Sequence, residues 1–195
     1  KVCIIDYEVV NIASIENAIK FLNFNYEILK KPNDLKSFSH LILPGVGSFK
    51  TGAKKLFDNH WDKAIIRFVR EKGFLMGICL GMQLLFETSE ESDQNLNGLS
   101  ILNGSTKKLN KLVDQNNLKI PHVGWNSIII KDNSKILENI NNNSNFYFVH
   151  SYFVKPKNEK IIKATCMHGI EFPAVIESGN IFGIQFHPEK CQTNG

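Results

Sequence analysis

The chain has 195 residues, 43% hydrophobic and 22% charged, a balance that builds one globular domain over residues 1–195 and excludes disorder. Its net charge of +4 is carried almost wholly by Lys, with Arg only at Arg67 and Arg70. The basic residues are scattered and offer no continuous footprint for nucleic acid. No apolar run nears the roughly 18 residues of a membrane span.

At the start, Lys1-Val2-Cys3-Ile4-Ile5-Asp6 turns acidic too early for a secretion signal. Residues 2–6 read as a short buried strand. A helix follows, with Ile12, Ile15, Ala18, Ile19 and Leu22 on one face and Asn11 or Ser14 as its cap. Strands are expected at 26–29 and 41–43, the second ended by Pro44-Gly45. Helical stretches follow near 53–57 and 61–71, the latter with Ile65, Phe68 and Val69 as its apolar stripe. A further buried strand spans 73–78, and a helix starts over 82–87.

Strands this apolar must be covered on both faces, which predicts an α/β fold with a mainly parallel central sheet flanked by helices. The second half changes character: strands at 127–131, 146–154, 161–167, 174–177 and 181–186 add an antiparallel extension. Glu177-Ser178-Gly179-Asn180 reads as a tight hairpin turn, and the Asn-rich 139–145 as an exposed loop.

Four cysteines stand at positions 3, 79, 166 and 191, without metal or disulfide spacing, so a reduced, cytoplasmic setting with no metal is expected. Of these Cys79 is singled out. Gly77-Ile78-Cys79-Leu80-Gly81 has the form of a nucleophile elbow, entered from a strand and left by a helix. Both glycines are needed because a Cβ at either flank would strike neighbouring backbone. The helix N-terminus favours thiolate, and the Leu80 amide is placed to meet an oxyanion.

A thiol nucleophile needs a base, and the base an orienter. His187 follows a strand, where sites of open α/β sheets collect, and Pro188 sets Glu189 two residues on. His40 and His60 read as helix or loop surface and His168 as a turn residue, whereas His122 and His150 are less easily dismissed. Pro44-Gly45-Val46-Gly47-Ser48-Phe49 offers a second oxyanion donor from the Val46–Gly47 backbone.

Gly77-Ile78-Cys79-Leu80-Gly81-Met82-Gln83 with Phe186-His187-Pro188-Glu189 resembles the class I (triad) glutamine amidotransferases. Three further strings narrow the resemblance to the glutaminase subunits of imidazole glycerol phosphate synthase. They are the Pro44–Phe49 hexapeptide above, Pro121-His122-Val123-Gly124-Trp125-Asn126 and Phe146-Tyr147-Phe148-Val149-His150-Ser151-Tyr152.

The resemblance implies a catalytic Cys79, His187 and Glu189, with an oxyanion hole from Val46, Gly47 and Leu80. It implies a glutamine pocket lined by Gln83, Glu91, Ser151 and Tyr152, with Glu91 facing the substrate ammonium. No cofactor is implied. The implied partner is a (β/α)8-barrel cyclase that consumes the ammonia in histidine biosynthesis, docked near Asn11, Trp125, Tyr147 and Lys190, with Trp125 on a loop. Asp6-Tyr7-Glu8-Val9-Val10-Asn11 departs from the family's Asp-Tyr-Gly-x-Gly-Asn: a residue at Glu8 or Val10 is strained if the glycine it replaces had positive φ. Cys191 replaces a common hydroxyl residue with little expected effect, and relatives continue past Gly195 into a final helix. A changed partner surface also fits an alternative client, a sugar amidotransferase of surface-glycan or flagellin modification.

Overall fold

A computed structural model describes residues 1–32, 35–92, 96–109 and 118–195. Its first half alternates strand and helix. Strand β1 (Val2–Ile5) leads to α1 (Ile12–Phe21), β2 (Tyr26–Leu29) and β3 (His40–Leu43). Helices α2 (Phe49–Asp58) and α3 (Trp61–Arg70) follow, then β4 (Phe74–Ile78) and α4 (Leu80–Gln83). The remaining strands are β5 (Thr88–Ser89), β6 (Gly104–Lys108), β7 (His122–Ile130), β8 (Asn145–His150), β9 (Tyr152–Pro156), β10 (Ile162–His168), β11 (Ile170–Ser178) and β12 (Ile181–Ile184).

Nine of these strands form one sheet in the order β2-β1-β3-β4-β12-β11-β10-β7-β8. From β2 to β12 the pairings are parallel, and from β12 to β8 antiparallel. This is the mixed sheet expected from the sequence.

Side-chain alternation divides the core. Cys3, Ile5, Leu41, Leu43 and Leu75 join the face covered by Phe49, Leu56, Trp61 and Ile65 of α2 and α3. Ile4, Ile78 and Ile184 join Ile15 of α1 on the other face. Each such fully buried aliphatic side chain contributes about 1.5–3 kcal/mol, which is why the strands read as unbroken apolar runs. On α1 the expected stripe is only partly covered: Ile15 is buried but Leu22, at the helix end, is exposed. The hairpin is as expected, β11 pairing with β12 across Gly179-Asn180, with Gly179 at φ 63°.

Four expectations need correction. The helix expected over 82–87 closes after one turn, Leu80–Gln83. The carbonyls of Leu84, Leu85 and Phe86 accept instead from Leu99, Ser100, Ile101 and Leu102, so the acceptors a helix would need are taken by a returning segment. The single strand expected over 146–154 is two strands parted at Ser151. β8 stays in the main sheet, while β9 pairs with β6 in a second, three-stranded sheet that sequence reading missed. His40 opens β3 rather than lying in helix or loop. Finally, Trp125 is not on a loop: it lies within β7, paired with Tyr147 of β8. The flanking glycine suggested a loop, but Gly124 takes φ 135° within the ladder and the pairing continues through it.

Candidate functional site

The C-terminal ends of β3, β4 and β12 converge, and the candidate residues sit there. The Ile184 carbonyl accepts from the Cys79 amide at 2.8 Å, so Cys79 leaves β4 still tied to β12. Its backbone then turns to φ 52°, ψ −109°, a conformation rare for a non-glycine residue and typical of functional strain. A Cβ on Gly81 would lie 1.8 Å from the Leu43 carbonyl oxygen, and one on Gly77 2.8 Å from the Gly81 backbone, so both elbow glycines are required. The expected dipole argument weakens, because α4 has only four residues. What remains is local: the Leu80 N–H is a first-turn group without an intrahelical acceptor.

His187 and Glu189 flank Pro188 on a short 3₁₀ turn. His187 Nδ1 lies 2.8 Å from Glu189 Oε1, and both side chains are at most 4% exposed. His187 Nε2 is buried without a hydrogen-bond partner among the described residues. Burial alone would lower the His187 pKa. The neighbouring Cys79 sulfur and the Glu189 carboxylate outweigh it and raise the pKa to about 9, because both stabilise the charged ring. Cys191 supports this turn, accepting from the Tyr147 N–H at 3.1 Å while its thiol donates to the His187 carbonyl. A thiol thus performs the tie that a hydroxyl would.

Cys79 and His187 open into a pocket of about 270 Å³ with Val46, Gly47, Leu80, Gln83, Glu91, Pro121, Val149, His150, Ser151 and Tyr152. All the predicted oxyanion and glutamine-pocket residues are therefore brought together. Three are engaged elsewhere in this conformation, Gln83 through its side-chain NH₂ on the Tyr152 carbonyl and Gln185. The Val46 N–H donates to the Val9 carbonyl at 3.0 Å. Glu91 Oε2 accepts from the Phe49 N–H at 2.7 Å, leaving its other oxygen for a ligand. Glu8 stands at φ 72°, so the strain expected on losing that glycine is present, whereas Val10 has no positive φ.

Pro121, Val149 and His150 were not named for the pocket. His150 Nε2 lies 3.1 Å from His122 Nδ1, and its own Nδ1 lies 2.9 Å from the Tyr152 carbonyl. Burial, then neighbouring histidines, pushes His122 down to about 4 and His150 to about 3, so both are neutral members of a hydrogen-bonded pair. Gln185 was also missed; its amide, fully buried inside an apolar strand run, was the available signal.

Three of the four expected interface residues form one patch. The Trp125 and Tyr147 rings meet edge-on with centroids 6.1 Å apart, and Lys190 Nζ sits 5.4 Å from the Tyr147 ring centre. Trp125 is 52% exposed, which is high for a large aromatic side chain. Asn11 is exposed at the start of α1, which lies against the Pro188–Lys190 turn. No helix among the described residues is long and apolar enough to cross a membrane.

Comparison with known proteins follows the same lines. Residues 3–195 match the family described as glutamine amidotransferase class-I. A relative from Geobacillus sp. (strain WCH70), imidazole glycerol phosphate synthase subunit HisH, is 41% identical over 96% of this chain and 88% of its own. The protein of that name from Bacillus subtilis (strain 168) is 41% identical over 98% of this chain and 90% of its own. Among solved structures, a glutamine amidotransferase superposes with a TM-score of 0.75 at 16% identity, covering 100% of this chain and 92% of the other. At that identity the likeness is one of fold.

Proposed function

The chain belongs to the class-I glutamine amidotransferase family, and from that premise we propose that it is the glutaminase subunit of an imidazole glycerol phosphate synthase, acting as one domain over its 195 residues. The carrying observation is the buried pairing of His187 with Glu189 at 2.8 Å, with His187 lining one pocket together with Cys79 at the crest of a two-glycine elbow.

The mechanism follows from those positions. Cys79 gives its proton to His187, and the thiolate attacks the side-chain amide carbon of glutamine. The Leu80 N–H meets the developing oxyanion. The Val46–Gly47 segment supplies a second donor once the Val46 N–H leaves the Val9 carbonyl. His187 then protonates the departing nitrogen, ammonia leaves, and a glutamyl thioester remains. Water, deprotonated by His187, attacks the thioester, and glutamate and the Cys79 thiol are released. Glu189 holds the ring orientation and stabilises its charged form. Gln83, Glu91, Ser151 and Tyr152 hold the substrate, Glu91 through its ammonium.

Ammonia stays useful only if shielded from water and protons, so it passes to a docked (β/α)8-barrel cyclase in the cytoplasm. The dock is the Trp125–Tyr147–Lys190 patch with Asn11; exposed Trp is a frequent anchor of such surfaces. Cys79→Ser is expected to abolish glutamate release while circular dichroism and partner binding stay unchanged. Retained turnover would overturn the mechanism.

A further inference from the structure

Gln185 lies one residue beyond β12, fully buried, with its backbone N–H bound to the Ala174 carbonyl at 2.9 Å. Its side chain ends between two residues of the pocket, and the chain of bonds fixes which way its amide points. The Tyr152 carbonyl can only accept, so the Gln83 group 3.0 Å from it is the NH₂. The second hydrogen of that NH₂ points to Gln185 at 3.3 Å, so Gln185 must present its oxygen there. Its own NH₂ therefore faces the Cys79 sulfur, at 3.6 Å. The anchor of this chain is held from the other side as well, since His150 Nδ1 lies 2.9 Å from the same Tyr152 carbonyl.

We propose that Gln185 is a further catalytic residue, whose side-chain amide, oriented by Gln83 and the Tyr152 carbonyl, donates to the Cys79 thiolate and holds it in position for attack. The inference rests on the reading of Cys79 as nucleophile. A thiol sulfur is a weak acceptor and a thiolate a strong one, so a fixed donor at this distance favours the reactive form. The bond is also positional. Together with the link from the Cys79 amide to the Ile184 carbonyl, it fixes the sulfur from the same strand end that carries His187.

The test is alkylation of Cys79 by iodoacetamide across pH, read by mass spectrometry of the Cys79 peptide, alongside steady-state glutaminase kinetics. Cys3, Cys166 and Cys191 are buried, with thiols raised to about 12, 12 and 11, and serve as internal references. Gln185→Met removes the donor at similar size. It is expected to slow Cys79 alkylation at neutral pH by about tenfold or more, to move the profile to higher pH, and to lower kcat with little change in KM. Gln185→Glu keeps the shape and the acceptor for Gln83 but sets an anion beside the sulfur, and is expected to be slower still. It decides the question if the Met variant does not fold. Wild-type alkylation rates and pH profile in the folded variants would overturn the proposal. A wild-type Cys79 no more reactive than the three references would instead overturn the nucleophile reading itself.

Discussion

The pocket has two walls built on different principles. One comes from strand ends: Cys79 follows β4, and His187 and Glu189 follow β12, with Cys79, His187 and the Glu189 side chain at most 6% exposed and held by short hydrogen bonds. The other comes from Val46 and Gly47 in the 44–48 loop, which is tied to the 6–11 loop behind it by the Tyr7 hydroxyl on the Pro44 carbonyl and the Val46 N–H on the Val9 carbonyl. There Glu8 and Gly47 take positive φ, and Val46 is 38% exposed. The difference teaches that the proposed nucleophile, base and orienter are preset by the sheet, while the proposed second oxyanion donor must exchange a hydrogen bond to be used. On the proposed mechanism, chemistry resides in the first, rigid wall and control in the second, adjustable one.

The largest effects are expected from the rigid wall. Glu189→Gln should lower turnover on the order of 10³-fold with the fold intact, since it removes both the orienter and the charge that stabilises protonated His187. A loss under tenfold would show that the pair is structural. Gly81→Ala drives a methyl into the Leu43 carbonyl and should cost about 3 kcal/mol or more in a urea titration, or prevent folding. A variant of near-normal stability would show that the elbow is not tight.

The histidines separate the walls from their surroundings by pH. His187, raised to about 9, stabilises the fold below its unfolded value near 6.5, and that contribution is lost as pH rises through about 9. His122 and His150, lowered to about 4 and 3, act in the opposite sense. Below about pH 6.5 the unfolded chain takes up protons that the folded one refuses, so stability falls with acid. Urea midpoints are therefore expected to peak near pH 6.5, falling from there towards pH 9 as the His187 contribution is lost and falling on the acid side through His122 and His150. His187→Gln should flatten only the alkaline side, and a flattened acid side would reverse the assignment.

Smaller effects are expected on the adjustable wall. At Gly47, φ is 90° and a Cβ would meet only Val9 Cγ1, in ordinary contact at 3.7 Å, so Gly47→Ala should cost about 1 kcal/mol through backbone strain and leave Cys79 alkylation near normal. Glu8→Gly relieves a strained φ and removes an exposed ion pair with Lys55. It should raise Tm slightly, and a clear fall would show that the ion pair outweighs the strain.

Legibility in the sequence follows the same division. The rigid wall was readable because each part has a local signature: an apolar strand, glycines where backbone approaches backbone, and a Pro between His187 and Glu189. The parallel half of the sheet and the hairpin at Gly179-Asn180 were readable for similar reasons. What was missed depends on contacts distant in sequence. The early end of α4 is set by residues 98–102 capturing the carbonyls of Leu84 to Glu87 just beyond it, and Trp125 is held in a strand by pairing with Tyr147 across 22 residues. Gln185 gives no local sign of its bond to Cys79, and the state of Val46 is decided by Val9.

The most direct test is glutamate release from glutamine, measured with and without a purified (β/α)8-barrel cyclase and its ribonucleotide substrate. The expected result is weak release by the chain alone and strong stimulation by the liganded barrel, as the Val46 N–H is freed for the oxyanion. Absence of stimulation, with Cys79 still reactive toward a glutamine-analogue alkylator, would contradict the synthase reading and direct the same experiment to a sugar amidotransferase.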